Sequence, residues 1–217
     1  MKDGVFSKCA AALFAVFTFA FFSSCTASVE LRAHDDSSIT VAYDASFGGA
    51  FIELMRALAG GHDALLFNAD EMARQFHEVG IETVRVSSPA DASLSVAATV
   101  PHNSHDAISQ SGCIARAERS MSLICSLETF TKLYESLPPS LQSYIDLFMA
   151  PIFSGDAMTK GEYLDLVASV YGKKLADEVA AARVKITMYG GNAKQAYTIP
   201  LVELLTATMQ NVYSIAW

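Results

Sequence analysis

An α+β fold with a mainly antiparallel sheet is what this sequence predicts, and three observations carry that reading. Short β-rich runs stand near both ends of the chain beyond residue 28: Val29 to His34 and Ile39 to Asp44 early, Val184 to Tyr189, Tyr197 to Ile199 and Val212 to Trp217 late. Between about 126 and 181, apolar residues recur at helical spacing instead. The joints between successive strands are short and turn-rich, which suits hairpins better than regular β-α-β alternation.

The elements follow in order. His34-Asp35-Asp36-Ser37-Ser38 is a turn between the first two strands. Ser46 stands where it would cap a helix through about Leu58, with Phe47, Phe51, Leu54, Met55 and Leu58 on one stripe and Gly60-Gly61 as the stop. Asn68 and Glu71 have capping-box spacing and open a helix through Val79, ended by Gly80. Ile81 to Val86 and Leu94 to Val100 flank Ser87-Ser88-Pro89-Ala90-Asp91 as a hairpin. His102 to Gly112 reads as a polar, irregular, exposed loop, and Ile114 to Cys125 as a further pair of strand segments.

The helical block comes next. Leu127, Phe130, Leu133, Tyr134 and Leu137 form one stripe, broken by Pro138-Pro139. Leu141, Tyr144, Ile145, Phe148, Met149 and Ile152 form the next. Thr159 and Glu162 make a second capping-box pattern, opening a helix that carries Tyr163, Leu166, Val167, Val170 and Tyr171. Gly172 interrupts it before a short helix around Leu175 to Ala181. Gly190-Gly191-Asn192 is a turn, and Pro200 starts a helix through about Met209.

Charge narrows the range of partners. The chain carries 15 Lys+Arg against 23 Asp+Glu, a net charge of −8. An acidic surface repels phosphate backbones, so nucleic-acid binding is disfavoured. The same balance argues against an electrostatic grip on anionic lipid.

The first residues read as an export signal. Lys2 and Lys8 precede an uncharged run from Ala10 to Phe22, followed by Ser23-Ser24-Cys25. A basic start, an apolar core of this length and small residues at the end describe a secretory signal peptide. The apolar core is shorter than the roughly 20 residues of a membrane span. Phe22-Ser23-Ser24-Cys25 resembles the lipobox of bacterial lipoprotein precursors, with Phe22 where that family usually has leucine or another aliphatic residue. The resemblance covers these four residues. It implies cleavage before Cys25, acylation of its sulfur, and a cell-envelope protein anchored to a bacterial membrane by lipid, its domain in the periplasm or on the cell surface. Cleavage after Ala27, or retention of the segment as an anchor, stays open. The expected organisation is therefore a signal peptide at 1–24, a lipidated N-terminus and first strand at 25–36, and a single α+β domain at 29–217.

Export also bears on the remaining cysteines. Cys9 falls within the signal and Cys25 at the lipid site, leaving Cys113 and Cys125 as an even pair. An oxidising compartment permits a disulfide between them, and two separate buried thiols fit equally well.

No residue stands out as catalytic. His102-Asn103-Ser104-His105-Asp106 comes nearest to a metal cluster, but it offers no second ligand group at a recognised spacing, so no metal or cofactor is expected. Gly48-Gly49 lacks the further glycines and lysine of a phosphate loop, and no Gly-x-Ser-x-Gly segment exists. Acid pairs such as Asp35/Asp36 and Asp177/Glu178 need a cleft before they can serve in catalysis.

The helical block offers the one functional surface, a candidate apolar ligand face at Phe130, Tyr134, Tyr144, Phe148, Tyr163 and Val167. The same stripes equally suit core packing. The expectation is a non-enzymatic envelope lipoprotein that binds an apolar small molecule or an envelope protein. The rivals are an exported hydrolase with a dispersed site and a structural subunit of an envelope assembly.

Overall fold

In the computed structural model, the described residues are 26–59, 66–78, 80–101, 106–136, 158–207 and 209–217. The strands are β1 (Thr26–Ala33), β2 (Ile39–Ser46), β3 (Thr83–Ser87), β4 (Ser93–Val100), β5 (Ile114–Ala117), β6 (Ser120–Cys125), β7 (Arg183–Gly190), β8 (Ala193–Pro200) and β9 (Asn211–Ala216). Six of them form a sheet in the order β3-β4-β2-β1-β7-β8, and the other three a small sheet, β5-β6-β9. β1 and β7 run parallel; every other pair is antiparallel. The α+β class and the largely antiparallel pairing are as expected. The division into two sheets is not legible from strand patterns, and it moves the last strand out of the main sheet.

Alternation fixes which side of the large sheet becomes core. Leu31, Val41, Ala98 and Met188 lie across from one another in register and are all buried. Val29, Tyr43, Val96 and Ile186 form the next row. Burying each large side chain contributes about 1.5–3 kcal/mol. The intervening positions put Glu30, Arg32, Thr40, Asp44, Arg85 and Lys185 on the other side, where they are exposed or half-buried. A one-residue slip would exchange the two sets, so burial holds the register.

The helices are α1 (Gly49–Ala59), α2 (Ala69–Glu78), α3 (Ala107–Ser111), α4 (Leu127–Glu135), α5 (Lys160–Tyr171), α6 (Lys173–Ala181) and α7 (Leu201–Leu205). Two of the expected caps form. Asn68 Oδ1 accepts the Glu71 N–H of α2 at 3.1 Å, although the Glu71 carboxylate turns to Arg74 and Gln75. Thr159 and Glu162 make both reciprocal bonds at the start of α5.

Three expectations are corrected. Ser46 does not cap α1, because the β2–β4 ladder continues through Ser46 opposite Ser93 and the helix starts only at Gly49. The stretch to Gly112 is not an exposed loop throughout. Asp106 is 2 % exposed and caps α3 by accepting from the Ser109 N–H at 3.0 Å, and Ile108 and Ser111 are buried. α7 stops at Leu205 rather than near Met209, where Thr206 Oγ1 donates back to the Val202 carbonyl at 2.7 Å. The expected helix stops at Gly60-Gly61 and Pro138-Pro139 lie outside the described residues, as does the 141–152 stripe.

Two contacts lock the small sheet onto the hairpin tips of the large one. Arg116, on β5, donates to the carbonyls of Ser38 and His34 in the β1–β2 turn at 2.7 and 2.6 Å. Trp217, held by its N–H on the Arg119 carbonyl at 3.0 Å, lays its ring on the β7–β8 turn. A Cβ at Gly190 would stand 2.0 Å from that ring, so the close approach requires glycine there.

Candidate functional site

The space between the two sheets is where apolar side chains leave a void. From the large sheet come Val29, Val41, Tyr43, Val184 and Ile186; from the other side come Leu123, Ile124 and Cys125 on β6, with Cys113 just before β5. Phe130 and Leu133 of α4 and Leu204 of α7 complete the lining. α4 is aimed there by its capping box: Ser126 accepts from the Thr129 N–H at 3.1 Å, and Thr129 Oγ1 accepts from the Ser126 N–H at 3.1 Å.

The void encloses about 60 Å³. Ligand pockets for drug-sized molecules run to roughly 300–1,000 Å³, so this space suits only a guest of a few heavy atoms. A lipid acyl chain is too large for it.

The chemistry of the lining is quiet. Cys113 and Cys125, for which the sequence left a bridge and two thiols open, are both buried free thiols here. Burial pushes the Cys125 thiol up to about 12, with a smaller repulsive contribution from Cys113. Burial likewise raises Cys113, whose Sγ–H points to the Ile108 carbonyl at 3.7 Å. Raised thiols stay protonated at neutral pH and are poor nucleophiles and poor metal ligands. Among the described residues, no group of three or more His, Cys, Asp or Glu is placed to hold a metal ion.

One polar atom of the lining residues is out of balance. Tyr43 is 4 % exposed and its hydroxyl has no hydrogen-bond partner; burial raises its pKa. An unsatisfied buried hydroxyl costs about 1–3 kcal/mol. Tyr43→Phe is therefore expected to raise unfolding stability by about 1 kcal/mol, read by urea denaturation. A loss of stability would mean that the hydroxyl is bonded in solution.

The proposed apolar face is only partly assembled. Phe130 borders the void. Tyr134 is half-buried against the core and is not part of the lining. Tyr163 and Val167 on α5 are buried in the core away from it, Tyr163 with an unpartnered hydroxyl whose pKa is raised by burial. Tyr144 and Phe148 lie outside the described residues, as do Cys25 and His102 to His105. The strand residues that border the void went unnoticed in the sequence reading. Alternation marks them as inward-facing, but nothing local marks which inward residues meet a gap.

A second depression, of about 270 Å³, lies between α5, α7 and β9. Lys160 and Glu203 form an ion pair on its rim, and Ile199, Thr206 and Tyr213 border it together with Met209, which is 80 % exposed. Its lining is mixed, without the convergent polar groups that would orient a substrate.

No family model, curated protein or solved structure matches this chain.

Proposed function

We propose that this chain is an exported lipoprotein whose mature form begins at an acylated Cys25, and that its α+β domain is a non-enzymatic module for an envelope protein partner. The observation that carries this reading is the start of β1. Thr26 pairs with Arg183, and Ala27, 1 % exposed, pairs with Val184. Cleavage before Cys25 leaves β1 whole. Cleavage after Ala27 would remove two paired residues, one of them buried, from a central strand. The lipobox-like Phe22-Ser23-Ser24-Cys25 then supplies the anchor. Several acyl chains on one residue hold a membrane firmly, whereas a single chain binds only marginally.

Two further features favour a binding module over a hydrolase. The carboxylates that stood as candidate acids are engaged in structure: Asp36 accepts from Ser38, Asp177 holds Lys173 at 2.7 Å, and Glu178 caps a helix. The void between the sheets is also too small for a lipid, which favours a protein partner over an apolar small molecule.

Intact mass of the protein extracted from membranes is expected to show a chain starting at Cys25 with added acyl mass. Cys25→Ala is expected to abolish envelope fractionation. Retention of the Cys25→Ala product in the envelope fraction refutes the tether, and native mass spectrometry of the wild-type extract reads out the partner.

A further inference from the structure

β1 begins at Thr26, the residue directly after the proposed acylation site. Consecutive Cα atoms are about 3.8 Å apart, so a lipid on Cys25 would be joined to the sheet with no spacer. The strand cannot lend slack either. β1 lies between β2 and β7, pairs with β7 from Thr26 onward and with β2 from Ser28 onward, and has Ala27 in the core.

Topology defines which surface shares that end of the sheet. Because β7 runs parallel to β1 and β2 antiparallel, Arg183 and Ser46 lie there. The antiparallel β4 adds Ser93, and with it the 88–92 turn between β3 and β4. The exposed residues of this end are small or balanced in charge: Ser46, Ser88, Pro89 and Ala90, with Asp44 and Asp91 set against Arg183 and Lys185. The opposite end carries Asp35, Asp36, Glu82 and Glu118 with Arg119 and Lys194, an acidic excess. Among the described residues, the nearly neutral end is the one beside the tether, which suits close approach to phosphate headgroups despite the acidity of the whole chain.

We propose that the anchor holds the domain upright on the bilayer, with the end formed by Ser46, the 88–92 turn and Arg183 against the headgroups and the Arg116–Trp217 end facing away. This rests on acylation of Cys25. An eight-residue strand separates the two ends by about 25 Å, which puts the far end beyond contact with lipid. A partner would then meet the far end or the flanks of the domain.

The test uses full-length acylated protein in phosphatidylcholine vesicles containing headgroup-spin-labelled lipid. A fluorophore is attached at Asp91→Cys or at Asp35→Cys, both exposed turn positions at opposite ends. Quenching is expected to be severalfold stronger at 91 than at 35, and a long Gly-Ser spacer inserted between Cys25 and Thr26 is expected to remove the difference. Equal quenching in a product of confirmed acyl mass overturns the orientation while leaving the tether intact. Absence of acyl mass overturns the tether and the orientation together.

Discussion

Gly190→Ala is expected to destabilise the domain by about 1–3 kcal/mol, because the added methyl overpacks the Trp217 ring. The new Cβ would fall 2.0 to 2.5 Å from three ring atoms, so the indole must leave its seat. Gly190 does not have a positive φ, so the backbone itself accepts alanine and the cost is steric. Trp217→Ala should cost about 2–3 kcal/mol, below the range for a fully buried tryptophan, since this ring is half-buried. The discriminating measurement is the double mutant. With the ring gone, Gly190→Ala should cost little, giving a coupling energy well above the few tenths expected of independent sites. Additive losses in urea denaturation would show that the hairpin tip and the indole do not act as a unit.

Glu178→Ala is expected to cost about 2 kcal/mol through a helix 127 residues away in sequence. Its two carboxylate oxygens accept the N–H groups of Ala50 at 2.9 Å and Phe51 at 3.2 Å, at the start of α1. These are orphan donors that the helix cannot satisfy itself, and a negative charge there also complements the helix dipole. Glu178→Gln keeps an acceptor and loses the charge, so its cost should fall between wild type and alanine. Chemical denaturation of the three forms reads this order. An alanine variant as stable as wild type would mean that water replaces the carboxylate without loss.

This cap also shows where sequence reasoning reached its limit. Ser46, three residues before the helix, has the right chemistry for a cap, and local spacing favours it. The β2–β4 ladder claims it instead, and the donors are satisfied from α6. Caps made within a few residues were legible, as Thr159 with Glu162 shows. A cap brought from the far side of the chain leaves no local trace. The loop before Gly112 failed for a related reason. Its polar composition hid Asp106 and Ser111, whose hydrogen bonds let them be buried.

The candidate site was legible to a smaller degree. Phe130, Cys113 and Cys125 were singled out from the sequence, and they share one void. Tyr43, Val29 and Ile186 were recognisable only as strand residues. A void depends on how well surfaces from different elements fill the space between them, and no residue pattern encodes that mismatch.

By itself, the sequence determined the α+β class, the hairpin-rich order of strands and the local helix starts. Each depends on periodicity or on hydrogen bonds between near neighbours, and both can be read along the chain. Only the tertiary structure decided the split into two sheets, the parallel pairing of β1 with β7, the Glu178 cap and the seat of Trp217 on Gly190. These join residues far apart in the chain, and they hold because long-range burial outweighs local preference once the sheet and helices close on one another.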